Sequence, residues 1–190
     1  MFPAYCELHY NLGMKFLLAV AFVAALQRPA QPEIRIPDLE HRVHDLINKE
    51  RTKHKESALQ FDEGLSRIAR AHSADMAKRK FFGHLNPEGQ DATERGKRAG
   101  YICRKVYAGY FTQGLAENIY QGSLYSRIRI TGNQRSYDWY SLDQLAEEAV
   151  EGWMDSEGHR KNILEKNYEK TGIGIAVDSD DKVYVTQVFC

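Results

Sequence analysis

Three side chains in this sequence are candidates to converge on chemistry: His84, Glu117 and His159. His84 and His159 each follow a glycine at the expected end of a helix, in Phe82-Gly83-His84 and Glu157-Gly158-His159-Arg160. Glycine there permits a left-handed exit from the helix and sets the next side chain at a layer edge, where clefts form. Glu117 sits in Leu115-Ala116-Glu117-Asn118, an apolar setting in which a buried carboxylate needs a partner. Two imidazoles and a carboxylate can bind zinc or another divalent metal with a position left for water. The spacing is long-range and lacks the weight of a short H-E-x-x-H motif. A dipole-favoured histidine at a helix end and a capping glutamate account for the same residues without chemistry.

The other histidines read more plainly. His72 falls on the apolar side of a helical pattern and is expected to be a core residue with a satisfied ring nitrogen. His41, His44 and His54 stand among charged neighbours and are expected in solvent. G-x-S-x-G, G-x-x-x-x-G-K-[ST], C-x-x-C and G-x-G-x-x-G are all absent, so those nucleophile, phosphate, redox and dinucleotide devices have no anchor. Thr171-Gly172-Ile173-Gly174 reads as a strand with close backbone packing.

Four helices and three strands must position these residues. Asp38 can cap a first helix carrying Leu39, Val43, Leu46 and Ile47 on one face. A second helix is expected over residues 62–80, with Leu65, Ile68, Ala69, His72 and Met76 on one side and Gly83 breaking it. Asn86-Pro87-Glu88-Gly89 is a turn by its dipeptides. Asp91 and Glu94 form a capping pattern for a short third helix. Ser141 and Gln144 form another, ahead of the clearest amphipathic pattern: Leu142, Leu145, Ala146, Ala149, Val150 and Trp153. Strands are expected over residues 171–177 and 183–189, joined by a hairpin loop. Residues 101–141 read as irregular and aromatic, with a short strand at 117–120 and a surface loop bearing Arg127, Arg129 and Arg135. Helices followed by strands favour α+β over alternating βαβ.

The 190 residues suit one domain, and 26 Lys and Arg against 26 Asp and Glu exclude a global basic field for nucleic acid. Residues 16–26, FLLAVAFVAAL, follow Met14 and Lys15 and end with Val23 and Ala25 in a cleavage-site pattern. This reads as a signal peptide over residues 1–25, with 1–13 a start-site artefact if Met14 is the true start. A buried helix or strand is the other reading of that run. It is too short to span a bilayer. Residues 26–37, with Pro29, Pro32 and Pro37, form a linker; residues 38–190 form the domain. Export leaves Cys103 and Cys190, which could pair in an oxidising compartment or remain two free thiols.

The segment FDEGLSRIARAHSADMAKRKFFGHLNPEG, the Ala116-Glu117-Asn118-Ile119 motif, the block from Gly152 through Gly158-His159-Arg160 to Leu164, and the closing strands together resemble the CAP superfamily. These are the SCP-like extracellular proteins: cysteine-rich secretory proteins, antigen 5 and pathogenesis-related 1 proteins. The block around His159 resembles the prokaryotic branch. The resemblance implies an α-β-α sandwich with a central antiparallel sheet and a cleft of histidines and acids that binds a divalent metal in some members. His84, Glu117 and His159 match its site positions, with Asn118 beside them. The animal and plant histidine of the last strand is replaced by Tyr184, and the second glutamate falls on Ser156, with Glu157 adjacent. Tyr184, Glu157 and Asn118 are therefore further cleft candidates. The implied function is a secreted or cell-envelope module binding a lipid, polysaccharide or protein. A metal-dependent hydrolase using the same cleft is the alternative.

Overall fold

The structure, a computed structural model, describes residues 31–107 and 109–190. The expected signal peptide, with Cys6 and His9, lies outside the described residues. The elements run in the order α1 (Ile36–Lys53), β1 (Gln60–Phe61), α2 (Glu63–Arg79), α3 (Ala92–Arg98), β2 (Arg104–Tyr107), β3 (Tyr110–Gln113), β4 (Ala116–Ser123), β5 (Tyr125–Thr131), β6 (Gln134–Trp139), α4 (Leu142–Asp155), α5 (Glu157–Ile163), β7 (Lys170–Val177) and β8 (Lys182–Phe189). The central sheet has the order β1-β7-β8-β4. It is antiparallel except for the two-residue β1, which pairs parallel with β7.

Strand alternation divides the helices between the two faces. Ile173, Ile175, Val183, Val185 and Phe189 pack on one side against Val43 and Ile47 of α1, Ala149 and Trp153 of α4, and Ile163 of α5. The other face carries α2, whose Leu65, Ile68 and Ala69 meet Val188, and whose Met76 meets Ile119 and Tyr184. Here β7 presents Gly172 and Gly174. A Cβ on Gly172 would lie 2.1 Å from the Ser66 backbone nitrogen, and one on Gly174 2.0 Å from that of Arg70. Only bare backbone lets α2 come this close. The result is the expected α-β-α sandwich with an antiparallel core sheet.

Local chemistry explains most element boundaries. Asp62 caps α2 through Leu65 N. Capping boxes open α3 at Asp91 and Glu94, and α4 at Ser141 and Gln144. α1 starts two residues before the expected Asp38, because Pro37 suits a first helical turn and Asp38 then favours its positive end. α2 ends at Lys80, left-handed at φ 55°, before Gly83; Lys80 Nζ bonds Asp178 Oδ2 at 2.8 Å. His44 is also half-buried, not solvated: it contacts Leu59 O at 3.0 Å and the Phe61 ring edge-on.

The largest correction concerns residues 101–141. The segment forms the β2–β3 hairpin, the full edge strand β4 and the β5–β6 hairpin. β5 and β6 turn at Gly132 and Asn133, a Gly-Asn hairpin signal that the aromatic content masked. Tyr125, Tyr137 and Trp139 form a ring cluster at its base. Cys103 and Cys190 form a disulfide with Cα atoms 5.7 Å apart and 87 residues of separation. The chain-entropy model assigns such a closure about 4–5 kcal/mol.

Candidate functional site

β4 is an edge strand, and its outward carbonyls are closed by side chains. Asn162 Nδ2 donates to Glu117 O at 3.3 Å, and Trp153 Nε1 donates to Ile119 O at 2.9 Å. α4 and α5 are thereby fixed along the strand. Asn118 turns toward these helices. It is fully buried, donates to His159 O at 3.2 Å and to Gln187 Oε1 at 3.4 Å, and accepts from Asn162 at 2.9 Å. The cleft candidate Asn118 is thus a bracket between the sheet and α5.

Glu117 turns the other way, toward α2 and α3. Its side chain is 4% exposed, so the carboxylate requires partners. Oε1 accepts from His84 Nδ1 at 2.9 Å, and Oε2 accepts from Arg95 Nη2 of α3. Arg95 Nη1 also donates to His84 O at 2.8 Å and Gln90 O at 2.7 Å. One guanidinium therefore holds both the carboxylate and the backbone that carries His84. Because the carboxylate accepts a hydrogen bond from Nδ1–H, neutral His84 carries its lone pair on Nε2. The His84 side chain is 53% exposed, so a solvent-accessible imidazole stands on a buried anion.

His72 forms the inner wall. It is core-placed, as expected, and 1% exposed. Nε2 donates to Gly83 O at 3.0 Å and lies 3.9 Å from Glu117 Oε1. Burial pushes its pKa down against the opposing pull of Glu117. His159 approaches from the far side of β4. Its pKa is also pushed down, first by burial and then by the charge of His84.

The expected site residues divide accordingly. His84 and Glu117 are in contact, and His159 is near enough to feel His84. His159 reaches this position from within α5, not from a glycine-led helix end. Neither Gly83 nor Gly158 has positive φ. Tyr184 is buried under α2, with its hydroxyl on Asp178 Oδ2 at 3.2 Å. Glu157 is exposed at the start of α5. Among the described residues, no group of three or more His, Cys, Asp or Glu side chains is placed to hold a metal ion. The sequence reading missed Arg95 and the closeness of His72 to Glu117. The available signal was the need of a buried Glu117 for a cation, but many cations could have met it.

The fold and the site together make an α-β-α sandwich that sets an exposed histidine against a buried glutamate at one edge of its central sheet. The chain belongs to the cysteine-rich secretory protein family, CAP, which matches residues 44–189. YkwD of Bacillus subtilis (strain 168) is 36% identical over 135 residues, 71% of this chain and 41% of that protein. The B. subtilis membrane protein YlbC is 30% identical over 151 residues, 79% of this chain and 34% of that one. The chain thus spans less than half of either relative. Among solved structures, an extracellular SCP-domain protein from Bacillus anthracis str. Ames superposes at TM-score 0.57 and 24% identity, covering 84% of this chain and 44% of that one. An outer surface protein from Borrelia burgdorferi gives 0.60 at 14% identity, covering 84% and 97%. These structural likenesses concern the fold. No helix among the described residues is long and apolar enough to cross a membrane.

Proposed function

We propose that the protein is a secreted or envelope-associated CAP module that holds an extracellular ligand or partner in the cleft around His84. The observation that carries this reading is the Glu117 carboxylate, buried between Arg95 and His84. It fixes the ring orientation and tautomer of an exposed imidazole, which then presents one lone pair to a visitor. The apolar run at residues 16–26, the Cys103–Cys190 disulfide and the extracellular description of the B. anthracis protein support action outside the cytoplasm.

Zinc or another divalent ion is a second reading of the same cleft. The donors fit it only in part, because Glu117 is already engaged by Arg95. His84 Nε2 and His159 would hold the ion, with Glu117 orienting His84 from behind. Bound there, the ion would polarise a carbonyl or anionic group of the ligand. A hydrolase would also need a base besides the two imidazoles on the ion, and Glu117, held by Arg95 and His84, is the carboxylate at hand for that role.

Calorimetric zinc titration of the mature protein tests the cleft. One ion per chain is expected. Glu117→Gln should weaken binding about 10–100-fold through lost orientation, and His84→Ala should abolish it. No binding near neutral pH, or binding indifferent to His84, removes the metal reading. His84-dependent turnover of casein would instead favour the hydrolase.

A further inference from the structure

A groove lies on the outer side of α2. α2 and α3, with the turn between them, enclose a groove of about 610 Å³. Arg67, Ala71, Ala74 and Lys78 follow helical spacing along α2, so two small side chains lie between two cationic ones. Arg98 of α3 adds a third cation. Among the described residues, none of Arg67, Lys78 and Arg98 makes an ion pair within 4 Å, while Asp75 of the same groove is matched by Arg79.

The groove also has polar contacts to offer at depth. His72, 1% exposed, lines it, and its Nδ1 has no protein partner. Since Nε2 donates to the Gly83 carbonyl, Nδ1 of the neutral ring is an acceptor. Arg95 lines the groove as well; its side chain is 10% exposed and its Nε–H, a donor, is buried without a protein partner. Buried polar groups are seldom left unpaired without a reason, and here an unmet acceptor and an unmet donor share one groove. A hydroxyl group can satisfy both kinds. Ile68 and the alanines provide an apolar floor, and the cations at the rim attract an anion.

We infer that the α2–α3 groove binds a hydroxylated organic anion, of the sugar-acid type, with its acid group at the cationic rim to which Arg67, Lys78 and Arg98 contribute and a hydroxyl turned toward His72 and Arg95. The groove adjoins the cleft around His84 through His72 and Arg95, while His84 and Glu117 themselves do not line it.

Titration of the full mature chain with D-glucuronate, followed by amide and histidine-ring NMR, tests this. Saturable shifts are expected within residues 67–78 and 86–99, together with movement of the His72 Nδ1 resonance. Dissociation constants of about 1 mM or tighter would fit a small ligand with a few charged contacts. Charge reversal at Arg67 and Arg98, both exposed, should weaken binding at least tenfold while circular dichroism stays unchanged. His84→Ala should leave it intact, which separates this site from the proposed cleft. Three results overturn the inference: no saturable shift, binding unchanged in the reversal variant, or equal responses to butyrate and inorganic phosphate.

Discussion

The two edges of the central sheet are closed by similar groups but differ in what surrounds them. At the β7 edge, Glu40 is buried in α1 and meets Arg70 of α2. Arg70 Nε and Nη2 donate to Glu40 Oε2 at 2.9 and 2.7 Å, and Ile175 N donates to Oε1 at 3.2 Å. Ser66 Oγ accepts from Ile173 N at 3.2 Å. At the β4 edge, Asn162 and Trp153 cap the strand, and Glu117 meets Arg95. Both edges thus pair a buried glutamate with an arginine and protect exposed strand groups from further pairing. Glu40 is surrounded by donors that satisfy it and has no histidine against it. Glu117 has two, one of them solvent-accessible. A buried Glu–Arg pair is therefore not a site by itself; on the function proposed above, the imidazoles are what distinguish the β4 edge from the purely structural one.

The greatest expected effects lie at the structural edge. Gly174→Val would force α2 off the sheet, because even a Cβ falls 2.0 Å from the backbone. The variant should not give a cooperative urea transition. Normal unfolding would show that the helix tolerates displacement. Glu40→Ala strands the Ile175 amide and removes the main partner of Arg70. Breaking a buried pair costs roughly 3–5 kcal/mol, and the expectation here is about 3 kcal/mol, since Arg70 keeps Glu63 at 2.5 Å. Urea unfolding measures the loss. Zinc and glucuronate titrations on the folded fraction should be unchanged, and altered affinity would contradict the division between the edges.

Glu117→Gln sharpens the comparison from the other side. Shape is kept, the carboxylate charge is lost, and His84 faces an amide that can present its oxygen or its NH2. A stability loss of about 1.5–3 kcal/mol is expected, the scale of a hydrogen bond to a charged group. The specific readout is the His84 ring: its 15N shifts should change from one fixed tautomer to a mixture. A fixed tautomer retained in the variant would mean that Glu117 does not orient the ring.

The difference between the edges also explains what was legible in the sequence. Elements with a local signature could be read directly: the face of α4, the capping boxes at Asp91 and Ser141, and the closing strands. The Gly172 and Gly174 pair signalled close packing because glycine in a strand has few other uses. β5 and β6 were less legible because much of both is solvent-exposed, so no apolar alternation marks the strands. For the site, His84 and Glu117 stood out by context and by resemblance to the family. Arg95 and the placement of His72 did not, because their meeting with Glu117 depends on how α2, α3 and β4 pack. His159 was singled out for the wrong local reason, since α5 begins where a helix end was expected.

Acid provides the mildest discrimination between the edges. His72 and His159 both belong to the β4 side, and burial lowers the pKa of each. Unfolded histidines titrate near about 6.5. Just below that pH the unfolded chain therefore binds more protons than the folded one. Stability rises with pH wherever that holds, so it is complete above about 6.5 and declines as pH falls toward the lowered folded values. The groups facing His72 are Glu117, Arg95, Asp75 and the Gly83 carbonyl. Glu117 and Asp75 favour the charged ring, Arg95 opposes it, and burial outweighs them all. The urea midpoint should be lower at pH 5.5 than at pH 7.5, and the first amides to lose hydrogen-exchange protection should lie in β4, α5 and the His84 loop. Protection at Ile173 and Ile175 should persist, because no histidine faces Glu40. An equal or higher midpoint in acid, or earlier opening of the β7 edge, would show that the two histidines do not set the acid sensitivity of the fold.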